Sequence, residues 1–119
     1  MIGLTSEGNQ KALTGYAAVS CAKATLEALN RSLAKEFGPH GIRSNLIQAG
    51  CTLTPSFKII PEHEKIAALA KRKNPLGRLT TPSDVADVIA FLATDQAKWI
   101  NGSIPVSYTH LTLPTTPYV

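Results

Sequence analysis

The chain has 119 residues, 44% of them hydrophobic and 17% charged, with a net charge of +4 and a pI of 9.3. That balance excludes a disordered chain, and no apolar run is long enough to span a bilayer, so no membrane association is expected. The length suits one small domain or part of a larger one.

In chain order, Met1 to Thr5 is a short apolar stretch that fits a buried strand end, and Ser6 to Gly15 is polar and glycine-bearing, as a loop is. A long helix is predicted from Tyr16 to Phe37, with Ala22, Leu26, Leu29 and Leu33 as its core stripe. Gly38-Pro39-His40-Gly41 stops it. Ile42 to Gln48 reads as a strand, followed by Ala49-Gly50 and a loop from Cys51 to Ile60. An amphipathic helix is predicted over Pro61 to Lys73, broken by Asn74-Pro75-Leu76-Gly77-Arg78. Thr81-Pro82-Ser83-Asp84 then starts a helix that runs to about Thr94, with Thr81 able to cap, Pro82 in the first turn and Asp84 three residues after the cap. Asn101-Gly102 is a turn, and Ser103 to Val106 begins another strand. Strands alternating with long helices imply a parallel sheet covered by helices, and two or three strands make only part of one.

Several functions are disfavoured. Cys21 and Cys51 form no disulfide framework and fit a reduced, cytoplasmic protein. His40, His63 and His110 show no metal-ligand spacing, so no metal is expected. Lys65, Lys71, Arg72, Lys73 and Arg78 read as a solvated helix face; without interleaved aromatics or a nucleic-acid module, no nucleic-acid partner is expected. Met1 is not followed by a basic segment and a long apolar core, so no secretory signal is expected.

The chemistry concentrates at Tyr16-Ala-Ala-Val-Ser-Cys-Ala-Lys23, where a tyrosine and a lysine stand seven residues apart at the start of the long helix. Seven residues are almost two turns, so both side chains share one face, and helical side chains lean N-terminally, bringing the lysine toward the tyrosine. An ammonium near a phenol favours the phenolate. A tyrosine so placed can donate a proton to a substrate oxygen.

With these motifs in this order, the chain resembles the C-terminal half of a short-chain dehydrogenase/reductase. The resemblance rests on Tyr16 and Lys23 with Ala24 to Leu29 after them, Gly41-Ile42-Arg43-Ser44-Asn45 leading to Ala49-Gly50, Pro75-Leu76-Gly77-Arg78, Thr81 to Ala86, and Ile100-Asn101-Gly102. Most of the family has its lysine four residues after the tyrosine, where this chain has Ser20, and has Pro-Gly where this chain has Ala49-Gly50. Both departures, and the short gap from Ser6 to Tyr16, are similar to the divergent branch containing the enoyl-acyl-carrier-protein reductases.

The resemblance implies an α/β fold, the incomplete C-terminal half of a Rossmann-like doubly wound parallel sheet. It implies a parent enzyme that uses NADH or NADPH to reduce an enoyl thioester in fatty acid synthesis. Tyr16 would bond the thioester carbonyl oxygen, and Lys23 the nicotinamide ribose hydroxyls. Ser6 falls where the family has its active-site serine, or a second tyrosine in many enoyl reductases. Gly50 to Thr54 matches the loop that passes the cofactor, with Thr52 facing the carboxamide and Thr54 the phosphates. Pro55 to Lys73 would be the substrate-binding loop and helix, its basic residues meeting an acidic acyl carrier protein. The parent is expected to be a homotetramer or homodimer. A carbonyl reductase or alcohol dehydrogenase acting on a 3-oxoacyl thioester or similar substrate is the alternative within enzymes, and a non-catalytic interaction fragment the alternative outside them.

Residues 1–106 are therefore expected to be the C-terminal part of the reductase domain, preceded in the parent by the glycine-rich turn for the cofactor pyrophosphate. The family pattern continues after Val106 with Asp-Gly-Gly, whereas this chain continues Ser107-Tyr108-Thr109-His110-Leu111. That run resembles the translation of a transposon-type sequencing adapter, so 107–119 is expected to be a non-native tail, and Tyr108 and His110 receive no functional role.

Overall fold

The computed structural model describes residues 1–108. Its main elements are β1 (Ile2–Ser6), α1 (Ala17–Phe37), β2 (Asn45–Ala49), α2 (His63–Lys73), α3 (Pro82–Leu92) and β3 (Val106–Ser107), joined by short 3-10 turns. The three strands form one parallel sheet in the order β1-β2-β3. Ile2 pairs with Asn45 and Ser6 with Ala49, while Gln48 and Ala49 pair with Val106 and Ser107.

Strand β2 is the centre of the molecule. It is buried from Asn45 to Gln48, and its alternating side chains serve two cores. Ile47 joins Val85, Leu92 and Ala97 in the cluster beneath α3. Leu46 points the other way, where a Cβ on Gly3 would come within 2.6 Å of Leu46 Cδ2 and 3.5 Å of Leu26 Cδ2. Gly3 thus lets β1, β2 and α1 approach closely. Helices on both faces of a parallel sheet are the expected layering.

The start of α3 is built as its sequence indicates. Thr81 Oγ1 accepts from the Asp84 amide at 3.2 Å, Asp84 Oδ2 accepts from the Thr81 amide at 2.8 Å, and Pro82 sits in the first turn. Arg78 adds a bidentate pair to the same carboxylate at 2.6 and 3.0 Å.

Several boundaries and one face differ from the sequence reading. The second strand starts at Asn45 rather than Ile42, because residues 42–44 lead into a polar junction. The Arg43 guanidinium donates to the carbonyls of Ile100 and Leu92, and the Ser44 amide donates to Asn101 Oδ1 at 2.9 Å. Ser103 to Pro105 likewise lie outside the last strand, although their carbonyls at 103 and 105 accept from Leu46 and Gln48. The second helix begins at His63 rather than Pro61, and the third ends at Leu92 rather than Thr94. On α1, Ala22 and Leu29 are exposed, and the inward face runs through Lys23, Leu26, Glu27, Asn30 and Leu33. Asn30 is fully buried.

That buried asparagine anchors the junction. Asn30 Oδ1 accepts from Ser44 Oγ at 2.8 Å, and Asn45 both donates to the Ile100 carbonyl and accepts from the Ser103 amide. Asn101 closes the circuit by donating to the Ala34 carbonyl at 3.2 Å. Buried polar groups need such partners, and here they fix α1, β2 and residues 100–103 to one another.

Of the 107–119 segment, Ser107 pairs in β3 and Tyr108 Oη accepts from Gln48 Nε2 at 3.0 Å. The remainder of that expected tail, His110 included, lies outside the described residues.

Candidate active site

The C-terminal end of β1 delivers Ser6, and the N-terminal end of α1 delivers Tyr16. Between them a 3-10 turn covers Glu7–Gln10, and Gly15 takes a left-handed φ of +72° just before Tyr16. Glycine adopts that conformation without steric cost, so the chain can turn sharply into the helix. Tyr16 is the N-cap residue, and its carbonyl accepts from the Ser20 amide at 2.8 Å.

These elements bring the two hydroxyls together. Ser6 Oγ and Tyr16 Oη are 3.1 Å apart, within hydrogen-bond range. The tyrosine ring lies on Gly8, where an added Cβ would stand 2.6 Å from Tyr16 Cε1. Lys23 follows on the same helix face, and its ammonium donates to the Leu4 carbonyl at 2.9 Å. An open cavity of about 380 Å³ adjoins the phenol, lined among others by Lys11, Leu13, Thr14 and Ser20.

Gly50, Thr52 and Thr54 lie past the end of β2 and satisfy their own loop. Thr52 Oγ1 donates to the Gly50 carbonyl at 2.9 Å, and Thr54 Oγ1 accepts from the Phe57 amide at 3.2 Å. Thr52 also bridges to Thr80. A Cβ on Gly50 would meet Tyr108 Cβ at 2.5 Å and Thr80 Oγ1 at 2.6 Å, so the backbone there has no room for a side chain. Burial, and after it the Glu7 carboxylate, push the neighbouring Cys51 thiol above its ordinary value.

The structure therefore joins Ser6 directly to Tyr16, and Lys23 to the strand that carries Ser6. It keeps Thr52 and Thr54 in a separate loop. Sequence reasoning missed Gly8, whose glycine admits the tyrosine ring, and Glu27, which accepts from Thr5 Oγ1 at 2.8 Å. The four-residue step from Lys23 to Glu27 was the available signal for the latter. Among the described residues no group of three His, Cys, Asp or Glu side chains could hold a metal, and no helix is long and apolar enough to cross a membrane.

A parallel sheet with helices on both faces, and polar side chains gathered past the carboxyl ends of its strands, defines the doubly wound α/β class. A family model described as Enoyl-(Acyl carrier protein) reductase matches residues 1–107, and the chain belongs to that family, within the short-chain dehydrogenases/reductases. The chain is 36% identical over 102 residues to the NADH-dependent enoyl-[acyl-carrier-protein] reductase of Bacillus cereus, covering 86% of this chain and 40% of that protein. It is 40% identical over 97 residues to (3R)-3-hydroxyacyl-CoA dehydrogenase of Mus musculus, covering 79% of this chain and 35% of that one. The crystal structure of the Bacillus cereus enoyl-acyl carrier protein reductase with NADP+ and indole naphthyridinone is similar with a TM-score of 0.84 at 34% identity, over 90% of this chain and 42% of that one. The chain thus spans less than half the length of these relatives.

Proposed function

We propose that this chain is the C-terminal, catalytic portion of a nicotinamide-dependent reductase, with residues 1–106 native to it and 107–119 a non-native tail. The observation that carries the reading is the 3.1 Å contact between Ser6 Oγ and Tyr16 Oη at the end of a parallel strand. Two hydroxyls so placed can both address one substrate oxygen.

The residues present fit one end of a nicotinamide cofactor, since a phenol and a serine hydroxyl meet at 3.1 Å, an ammonium stands on the helix that follows the phenol, and an open cavity adjoins Tyr16. NADH or NADPH, when bound, supplies the hydride. Tyr16 donates a hydrogen bond to the substrate carbonyl oxygen and stabilises the charge that builds there. Ser6 orients the phenol. Lys23 holds the ribose hydroxyls and keeps the local potential positive, and Gly50, Thr52 and Thr54 line the cofactor's path.

The proposed substrate is an enoyl thioester of fatty acid synthesis, carried on acyl carrier protein. Lys71, Arg72 and Lys73 are exposed and form no ion pair among the described residues, which suits an acidic carrier. The parent assembles as a homodimer or homotetramer.

Two observations favour a second reading, reduction of a 3-oxoacyl thioester or oxidation of its alcohol. A serine, not a tyrosine, bonds Tyr16, and the identity to the hydroxyacyl-CoA dehydrogenase is 40% against 36% to the enoyl reductase. The test is nicotinamide-dependent turnover by the longer reading frame that carries these residues. Reduction of crotonyl thioester alone supports the first reading, and reduction of acetoacetyl thioester alone supports the second. A folded protein that reduces neither overturns both.

A further inference from the structure

Three consecutive residues of β1 are each held by α1. The Leu4 carbonyl accepts from Lys23 Nζ at 2.9 Å, the Thr5 hydroxyl donates to Glu27 Oε1 at 2.8 Å, and the Ser6 hydroxyl meets Tyr16 Oη at 3.1 Å. At about 100° per residue, helix positions 16, 23 and 27 fall within an arc of roughly 40°. Tyr16, Lys23 and Ser6 belong to the hydroxyl site already described, but Glu27 does not.

We propose that Glu27 is a positioning residue for the Ser6–Tyr16 pair, acting by holding the Thr5 hydroxyl. Thr5 is only 2% exposed and precedes Ser6 directly in β1. A β-branched side chain has few χ1 options, so fixing its hydroxyl fixes the strand's rotation about Thr5. That rotation determines where the next residue points. Lys23 alone cannot replace the hold, because it grips the Leu4 carbonyl and leaves the Thr5 side chain free to turn. Removing the Glu27 acceptor strands a buried hydroxyl, which then seeks another partner and carries Ser6 with it. Misplacing a reacting group by about 1 Å costs on the order of a hundredfold in rate.

This inference rests on Ser6 and Tyr16 being the working hydroxyls, so its test has one arm that needs no turnover. The ring resonances of 13C-tyrosine are followed in the 119-residue chain, with the Tyr16 signal assigned through Tyr16→Phe and its displacement calibrated with Ser6→Ala. Glu27→Ala and Thr5→Val are expected to shift the Tyr16 signal as Ser6→Ala does. Glu27→Gln, which keeps a carbonyl acceptor, and Thr5→Ser, which keeps the hydroxyl, are expected to restore it. Glu36→Ala on the exposed side of α1 is expected to leave it in place. In the longer reductase, Glu27→Ala is expected to lower kcat by tenfold to a hundredfold with KM unchanged, on the order of what such a misplacement costs, and Glu27→Gln to recover most of it. Folded Glu27→Ala and Thr5→Val chains whose Tyr16 signal stays at the wild-type position overturn the proposal, whatever the enzyme's substrate. A wild-type enzyme without turnover, beside a Tyr16 signal that does shift, overturns the functional reading and leaves the positioning role supported.

Discussion

The ring of Tyr16 lies directly on the backbone of Gly8, leaving no space for even a methyl group between them. The nearest ring atom, Cε1, would be 2.6 Å from a Cβ at that position. Gly8→Ala must therefore push the phenol off its seat or move the 3-10 turn that carries residue 8. Overpacking of this kind costs about 1–3 kcal/mol. The expected result is a lower urea midpoint in this chain, together with a larger proportional loss of turnover in the longer reductase. A Gly8→Ala enzyme with wild-type kcat would show that the seat has no bearing on the chemistry.

Tyr16→Phe keeps the ring and its contact with Gly8 but removes the hydroxyl that meets Ser6. The fold should survive, and reduction should fall by a factor on the order of 10²–10⁴, the usual contribution of a positioned proton donor. Steady-state nicotinamide oxidation, with circular dichroism to check folding, measures both. Retention of more than a tenth of wild-type turnover would remove the phenol from the mechanism.

At the head of α3, Arg78 and then Thr81 hold the Asp84 carboxyl well below the usual carboxylate range. A depressed folded value means that the stabilisation is fully present above the unfolded aspartate value of about 3.9 and is lost as pH falls toward the folded one. Asp84→Asn should therefore lower Tm at neutral pH, and the gap to wild type should close as the pH drops below about 4. A gap that persists unchanged in acid would mean that the charge is not what stabilises the turn. Removing only the cap, with Thr81→Ala, should cost about 1 kcal/mol at any pH where Asp84 is ionised.

The Asn45 amide holds the Ile100 carbonyl and the Ser103 amide at once. Asn45→Ala, at a position only 1% exposed, leaves the Ser103 amide without its side-chain acceptor and the Ile100 carbonyl with the longer bond from Arg43 alone. A stranded buried group costs about 1–3 kcal/mol. Chemical denaturation should place Asn45→Ala well below an exposed control such as Lys98→Ala, and a loss no greater than the control's would contradict the junction described above.

Because burial and Glu7 push the Cys51 thiol up, less of it is thiolate at pH 8 than in a free cysteine. Its alkylation by iodoacetamide should be slow at that pH and accelerate as the solution becomes more alkaline. Glu7→Gln removes the second cause and should speed the reaction at fixed pH. Peptide mapping of the alkylated chain reads Cys51 separately from Cys21, and a Glu7→Gln rate equal to wild type would leave burial as the sole cause.

Spacing singled out the residues that are proposed to react. Tyr16 and Lys23 stand at a helix start, and Ser6 lies ten residues before the tyrosine, at the end of an apolar strand. The α3 cap was equally plain, because Thr81, Pro82 and Asp84 act within one turn and depend on nothing distant. What stayed hidden depends on partners far along the chain. Ile42 to Ser44 has a strand-like composition, yet the Ile42 amide turns back to the Phe37 carbonyl, and the Arg43 side chain and Ser44 backbone bond residues 92 to 102. The inner face of α1 was misjudged for a related reason. Lys23, Glu27 and Asn30 are polar, and only the carbonyl, hydroxyl and serine that receive them explain why they turn inward while Leu29 stays 46% exposed.

The asparagine junction also dictates an order of assembly. The Ser44 amide reaches 57 residues ahead to Asn101, and Asn30 reaches 73 ahead to Ser103. A nascent chain stopped before Ile100 thus has its longest helix and central strand already made, with the acceptors and donors of Asn30, Ser44 and Asn45 still waiting. Such long-range closure is slow. Residues 100–103 thus act as the bolt for α1, which stays unlatched until they have emerged from the ribosome.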